Sequence, residues 1–209
     1  MPQTPGKLIS IEGGEGAGKT TVLQAVRECL GHAGKTVICT REPGGTEIGE
    51  DIRSLLLAPA KAIDSRAELL LMFAARAQLV NTLIKPALAR GEYVITDRFT
   101  DASFAYQGGG RGIDTADIAM LEQAFVGIQP DLTLLLDIPV EQGMARAKTR
   151  GQSLDRIESE RAVFFQKVRA VYLRRAVENP QRIKVIDASQ SVEVVVDQVL
   201  KVIDVWLTA

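Results

Sequence analysis

Five short runs of apolar, β-branched residues recur along the chain: KLISIE (7–12), TVICT (36–40), YVITD (93–97), LTLLLDI (132–138) and IKVIDA (183–188). Segments of helical composition separate them. Runs this short and this continuously apolar suit strands covered on both faces, and their alternation with helices predicts an α/β fold, a parallel sheet with helices on either side. The expected helices are 19–32, 47–57, 115–126, 140–149, 158–178 and 191–207. Periodicity is clearest in SRAELLLMFAARAQLVNTLIKPALARG, where Ser65 with Glu68 predicts a capping box and Pro86 a kink or interruption of the last turns. Two segments break the pattern. YQGGGRGIDT (106–115) has too many glycines to be regular, and ARAKTRGQSLDRIE (145–158) packs four cations around Gly151, as a mobile basic loop between two helices would. No repeat, low-complexity tract or Pro/Ser-rich linker divides the chain, so residues 1–209 are expected to form one domain.

Composition narrows the chemistry. The hydrophobic fraction of 46% and charged fraction of 24% are those of a soluble globular protein, and no apolar run approaches a membrane span. MPQTPGK lacks an apolar core behind a basic start, so export is not expected and a cytoplasmic location is. Cys29 and Cys39 are too few for a disulfide framework, and with His32 as the sole histidine neither zinc nor Ser-His-Asp chemistry is expected. A net charge of −1 advertises neither a nucleic-acid nor a membrane partner. Any anion site must be local.

One such site is written in ISIEGGEGAGKTTVLQAV. Gly13-x-x-x-x-Gly18-Lys19-Thr20 matches the phosphate-binding loop, between an expected strand and an expected helix. Across Gly13, Gly14, Glu15, Gly16, Ala17, Gly18, Lys19, Thr20 and Thr21 the backbone is expected to curl so that its N–H groups converge on phosphate. Lys19 would reach the β- and γ-phosphates of ATP, and the Thr20 hydroxyl would serve Mg²⁺. The glycines lack the G-x-G-x-x-G register of a dinucleotide fold. A second metal carboxylate is expected at a strand end, Asp97 in preference to Asp137, because Arg98 follows Asp97 and places a cation where a transferring phosphoryl group develops charge.

Neither D-x-x-G nor N-K-x-D occurs, which argues against a GTPase switch. A small-molecule kinase needs an acceptor site and a lid that excludes water. Arg146, Lys148, Arg150 and Arg156 suit such a lid at about 146–157, and Arg41 in TREPGGT adds a cation after the second strand. Donor triphosphate plus acceptor phosphate accounts for these cations; a non-catalytic nucleotide-binding module remains the alternative.

Taken together and in order, IEGGEGAGKTT, TREPGGT, LLLMFAARAQ, DRF, AYQGGGRG and RGQSLDRIE resemble the bacterial thymidylate kinase family across essentially the whole chain. The resemblance implies a P-loop NTPase three-layer fold with a five-stranded sheet, transfer from ATP to dTMP with Mg²⁺, and commonly a homodimer. It implies that Glu15 lies near the acceptor 3′-hydroxyl and that Arg41 and Arg98 clamp the acceptor phosphate. Phe73 and Arg76, three apart on one helix, would stack on thymine and donate to its 4-carbonyl oxygen. Ser103, Tyr106 and Gln107 would line base and sugar, with Gln107 pairing with the ring edge and Tyr106 filling the space of a ribose 2′-hydroxyl. Because position 17 is alanine, the resemblance assigns the lid cation on the transferring phosphoryl group to Arg150. Catalysis by Lys19, Arg98 and Arg150 would then be positioning and charge stabilisation, since a phosphate acceptor, with a second pKa of about 6, needs no strong base. The nearest alternative is another nucleotide or nucleoside kinase.

Overall fold

The computed structural model describes residues 5–58, 62–148, 155–158 and 160–208. All five expected strands are present: β1 (Leu8–Gly13), β2 (Val37–Arg41), β3 (Tyr93–Asp97), β4 (Leu132–Asp137) and β5 (Ile183–Asp187). They form one parallel sheet in the order β2-β3-β1-β4-β5. Parallel pairing aligns the carboxyl ends of the strands along one edge. The register sets Asp97 between Ile11 of β1 and Arg41 of β2.

Helices cover both faces. Ile9 and Ile11 of β1 point into a core closed by α1 (Lys19–His32) and α8 (Val192–Thr208), while Leu8 belongs to the opposite core. That second core is built on α2 (Glu47–Leu57), α3 (Ser65–Ala89), α4 (Thr100–Ser103, continuing as a π-helix through Phe104–Gly110) and α7 (Ala162–Glu178). Between α4 and α7 in the chain come α5 (Thr115–Leu121, continuing as a π-helix through Glu122–Val126), which adds Ile118, Leu121 and Val126 to the same core, and α6 (Val140–Lys148).

Several sequence expectations change. The cap of α3 is Asp64, whose Oδ1 accepts from the amides of Arg66 and Ala67. Glu68 makes no capping box with Ser65; it is buried and turned inward. Before Pro86 the helix relaxes into a π turn, Val80–Ile84, the interruption expected of a residue with no N–H to donate. An 18-residue window of α3 reaches a mean hydropathy of 1.3, so the helix also matches a membrane span in length and composition. Its inner side nevertheless carries buried Glu68 and Arg76, and its apolar residues pack in the second core.

The glycine-rich segment is helical in its first half, through Gly110, and irregular only from 111 to 114. Phe104–Gly110 is helical because its glycines let α4 lie against α7: a Cβ on Gly109 would stand 2.6 Å from Val171 Cγ2 and 3.0 Å from the Lys167 carbonyl, and one on Gly110 would strike the Phe164 ring. Glycine here permits close approach of two helices and does not mark a loop. Of the basic segment, α6 ends at Lys148, residues 155–158 form a turn, and 149–154 lie outside the described residues.

Candidate active site

The phosphate loop runs from the last residue of β1 into α1. Gly13, Gly16 and Gly18 have φ of 141°, 72° and 89°, conformations that an L side chain rarely adopts. A Cβ on Gly13 would stand 2.5 Å from the Leu136 carbonyl, and one on Gly16 would overlap the Gly143 carbonyl of α6. The turn is therefore wedged between β4 and α6. Gly18 precedes α1 with no side-chain cap, so the α1 terminus keeps its N–H groups for another acceptor. Lys19 folds over the loop, its Nζ 3.2 Å from the Gly14 carbonyl and 3.4 Å from that of Gly13. Burial, reinforced by the Arg98 charge, holds its pKa below the ordinary lysine value. An anion in the loop would reverse that tendency.

Arg98 faces the same turn from the end of β3. It is the one non-glycine residue with positive φ, 72°, among the described residues. Its Nη2 meets Glu15 Oε1 at 2.7 Å, its Nη1 donates to the Gly13 carbonyl at 3.1 Å, and its guanidinium lies 4.7 Å from the Tyr106 ring centre. The Tyr106 hydroxyl also reaches Glu15, at 3.3 Å. Glu15, Arg98 and Tyr106 thus form one cluster on the inner side of the loop.

Arg76 is enclosed more deeply. Its Nε donates to Glu42 Oε2 at 2.6 Å, its Nη1 to Ser103 Oγ at 2.9 Å and its Nη2 to the Phe99 carbonyl at 3.1 Å. Burial raises the Glu42 pKa even though Arg76 pulls the other way. Removing either member of such a pair strands a buried charge, at a cost of roughly 3–5 kcal/mol. The Arg76 guanidinium lies 4.8 Å from the Phe73 ring centre. Phe73 is itself only 3% exposed and belongs to the second core, so it stands beneath Arg76, while Met72 and Arg76 line the cleft.

These groups share one cleft of about 880 Å³, near the top of the range for small-molecule sites. Residues 15–21 form one wall, with Asp97 and Arg98 beside them. Arg41, Arg53, Arg76, Ser103, Tyr106 and Gln107 also line it, as do Arg146, Gln190 and Ser191. Arg41 is 55% exposed and paired with Glu50 at 2.9 Å. Arg146 sits on α6 and donates to the carbonyls of Ala188, Ser189 and Gln190, so it organises the turn between β5 and α8. Arg156 donates to the Leu56 carbonyl at 2.7 Å and to Glu68 Oε2 at 2.6 Å. Arg150 lies outside the described residues.

The residues fit a magnesium ion carried by a nucleotide. Asp97 Oδ1 is buried with no hydrogen-bond partner among the described residues, an acceptor left for a cation or its water, and Thr20 lines the same cleft. No group of three His, Cys, Asp or Glu among the described residues makes a self-contained cage. Mg²⁺ in phosphate-loop sites needs none, being held by one or two side chains with the phosphates. Asp137, the alternative carboxylate, is engaged at both oxygens by Arg169, at 2.7 and 2.9 Å.

A family model described as thymidylate kinase matches residues 11–199. The chain belongs to the thymidylate kinase family. Among its relatives, the thymidylate kinase of Chromohalobacter salexigens is 56% identical over 92% of each chain, and that of Alcanivorax borkumensis 51% identical over 95% of this chain and 96% of the other. The crystal structure of thymidylate kinase from Ehrlichia chaffeensis matches with a TM-score of 0.78 at 34% identity, over 96% of this chain and 99% of that one. The fold is accordingly that of the thymidylate kinases, P-loop NTPases with a five-stranded parallel sheet.

Two further residues of the site, Arg53 and Met72, are not among the candidates that the sequence motifs offer. Arg53 lines the cleft and donates to the Pro43 carbonyl at 2.9 Å, and burial with the neighbouring Arg41 charge lowers its pKa. A signal was present, since Arg53 shares the inward stripe of α2 with Gly49 and Leu56, where an apolar residue belongs. Met72 had none.

Proposed function

We propose that the cleft transfers the γ-phosphoryl group of ATP to the 5′-phosphate of dTMP, giving ADP and dTDP. The observation that carries this reading is the convergence of the phosphate loop, through Glu15, with Arg98 and Tyr106 in a family whose members are named for thymidylate. The loop amides and Lys19 hold the ATP phosphates. Arg41, Arg53 and Arg98 supply the acceptor phosphate with forked, permanently charged donors. Glu15 faces the acceptor sugar, and its pairing with Arg98 orients that guanidinium. Arg76 presents N–H groups to the base edge from a position held by Glu42, Ser103 and Phe99. Thr20 and Asp97 would hold Mg²⁺, whose contribution when bound is to neutralise charge on the phosphate oxygens. On resemblance alone, Arg150 supplies the lid cation that Ala17 does not. The role of Arg41 in phosphate binding is proposed in the same way, as is base stacking by Phe73, whose ring here is 3% exposed beneath Arg76 and has to be uncovered to meet a base. A cytoplasmic homodimer completes the reading, with exposed apolar residues on α3 and α5 as its contact face.

The test is ADP release from ATP and Mg²⁺ with dTMP, dUMP, dCMP, dGMP, dAMP and UMP in turn, with Lys19→Ala as control. Strong preference for dTMP is expected, and the control should lose ~10²-fold or more in turnover, as for loss of one preorganised electrostatic contact. Preference for another monophosphate would keep the kinase and overturn the base pocket; turnover with none would overturn the catalytic reading.

A further inference from the structure

Glu68 lies on α3 two turns before Arg76, 1% exposed, and gathers more donors than any helix cap requires. Its Oε1 accepts from Gln107 Nε2 at 2.9 Å and from Arg111 Nε at 3.3 Å; its Oε2 accepts from Arg156 Nη2 at 2.6 Å and faces Arg111 Nη2 at 3.2 Å. Burial favours the neutral acid, but the hydrogen bonds from Gln107 and Arg156 and the charge of Arg111 outweigh it and hold the carboxyl below its ordinary value. Glu68 is thus a carboxylate at neutral pH, and a carboxylate can only accept. The two ends of the Gln107 amide are consequently not interchangeable. Its NH₂ must turn to Glu68, which leaves the carbonyl oxygen as the end uncommitted to α3.

Gln107 also lines the cleft, alongside Arg76 and Ser103. Arg76 can only donate, and three of its five N–H groups are engaged by Glu42, Ser103 and Phe99. An acceptor from Gln107 beside a donor from Arg76 complements a base edge that presents ring N–H next to C=O. Cytosine presents the reverse, an unprotonated ring nitrogen next to an amino group.

We propose that Glu68 is a specificity-determining positioning residue, which turns the Gln107 carbonyl oxygen toward the acceptor base so that the cleft takes a pyrimidine with a ring N–H and opposes cytosine. This rests on the acceptor-nucleotide reading above.

The test compares kcat/KM for dTMP and for dCMP in the wild type, Glu68→Gln and Gln107→Met. In Glu68→Gln the position-68 amide can donate as well as accept, the Gln107 amide becomes free to rotate, and the dTMP/dCMP ratio should fall ~10-fold or more, the worth of one well-placed hydrogen bond. Gln107→Met removes the carbonyl acceptor while leaving Glu68 with Arg111 and Arg156, so it gives the same fall even where Glu68→Gln fails to fold. Adding Glu68→Gln to Gln107→Met should lower the ratio no further. A ratio unchanged in either single variant, with both substrates slowed alike, would reduce Glu68 to a structural anchor and overturn the proposal. Absence of dTMP turnover in the wild type would instead overturn the underlying reaction.

Discussion

Glu12 lies in the buried length of β1, its Oε1 accepting from the Phe99 amide and its Oε2 from the Tyr172 hydroxyl, each at 2.7 Å. It therefore ties the sheet both to the turn that carries Arg98 and to α7. That turn is strained: left-handed φ on an arginine costs roughly 1–3 kcal/mol and persists only where the surroundings impose it. Here the Ile11 carbonyl accepts the Arg98 amide at 3.0 Å, and Thr96 Oγ1 donates to the Arg98 carbonyl at 2.8 Å. Burial, with the nearby Asp101 charge, pushes the Glu12 carboxyl from 4.5 up to about 8. Between those values the folded chain keeps a proton that the unfolded chain releases. The stability linked to Glu12 is fully present below about pH 4 and is lost as pH rises toward 8. The urea midpoint of the wild type should accordingly decline relative to Glu12→Gln between pH 5 and pH 8.5. Parallel pH courses for the two proteins would refute it.

At the scale of elements, the pairing of α4 with α7 is decisive, because it seats Ser103, Tyr106 and Gln107 against the cleft. Asp101 reinforces it, accepting from Arg175 and Arg182 at 2.6 Å each and joining α4 to α7 and the approach to β5. Gly109 makes the approach possible. Gly109→Ala would press a methyl group against Val171 and the Lys167 carbonyl, overpacking that costs ~1–3 kcal/mol. For a chain of this size each kcal/mol lowers the midpoint by about 2–4 °C, so calorimetry should find Tm reduced by several degrees. An unchanged Tm would show that the interface gives way without cost. The strands and most helices were legible from apolar runs and helical periodicity, which are local properties. The π-helix was not, because its glycines answer to a neighbouring helix.

The whole molecule leaves Leu70 on α3 and Met120 and Phe125 on α5 at 57–60% exposure, on elements whose π-helical extension packs against α3. Exposed large apolar side chains on adjoining elements are the signature of a covered face. In the homodimer proposed above that face is the interface. Light scattering should then return twice the chain mass for the wild type and the single-chain mass for Phe125→Asp, with helicity unchanged by circular dichroism. A wild-type monomer at micromolar concentration would remove this part of the reading.

By itself, the sequence determined the order of strands and helices, the phosphate loop and the family, because each depends on residues adjacent in the chain or on motifs of fixed spacing and order. Lys19, Thr20, Asp97 and Arg98 were readable for that reason. Only the tertiary structure decided that Glu68 belongs to Gln107 and Arg156 and not to a helix cap, that Arg76 rests on Glu42, and that Arg53 joins the cleft. Such pairings join residues tens of positions apart, and a buried polar group takes whatever partner the packed chain brings within reach.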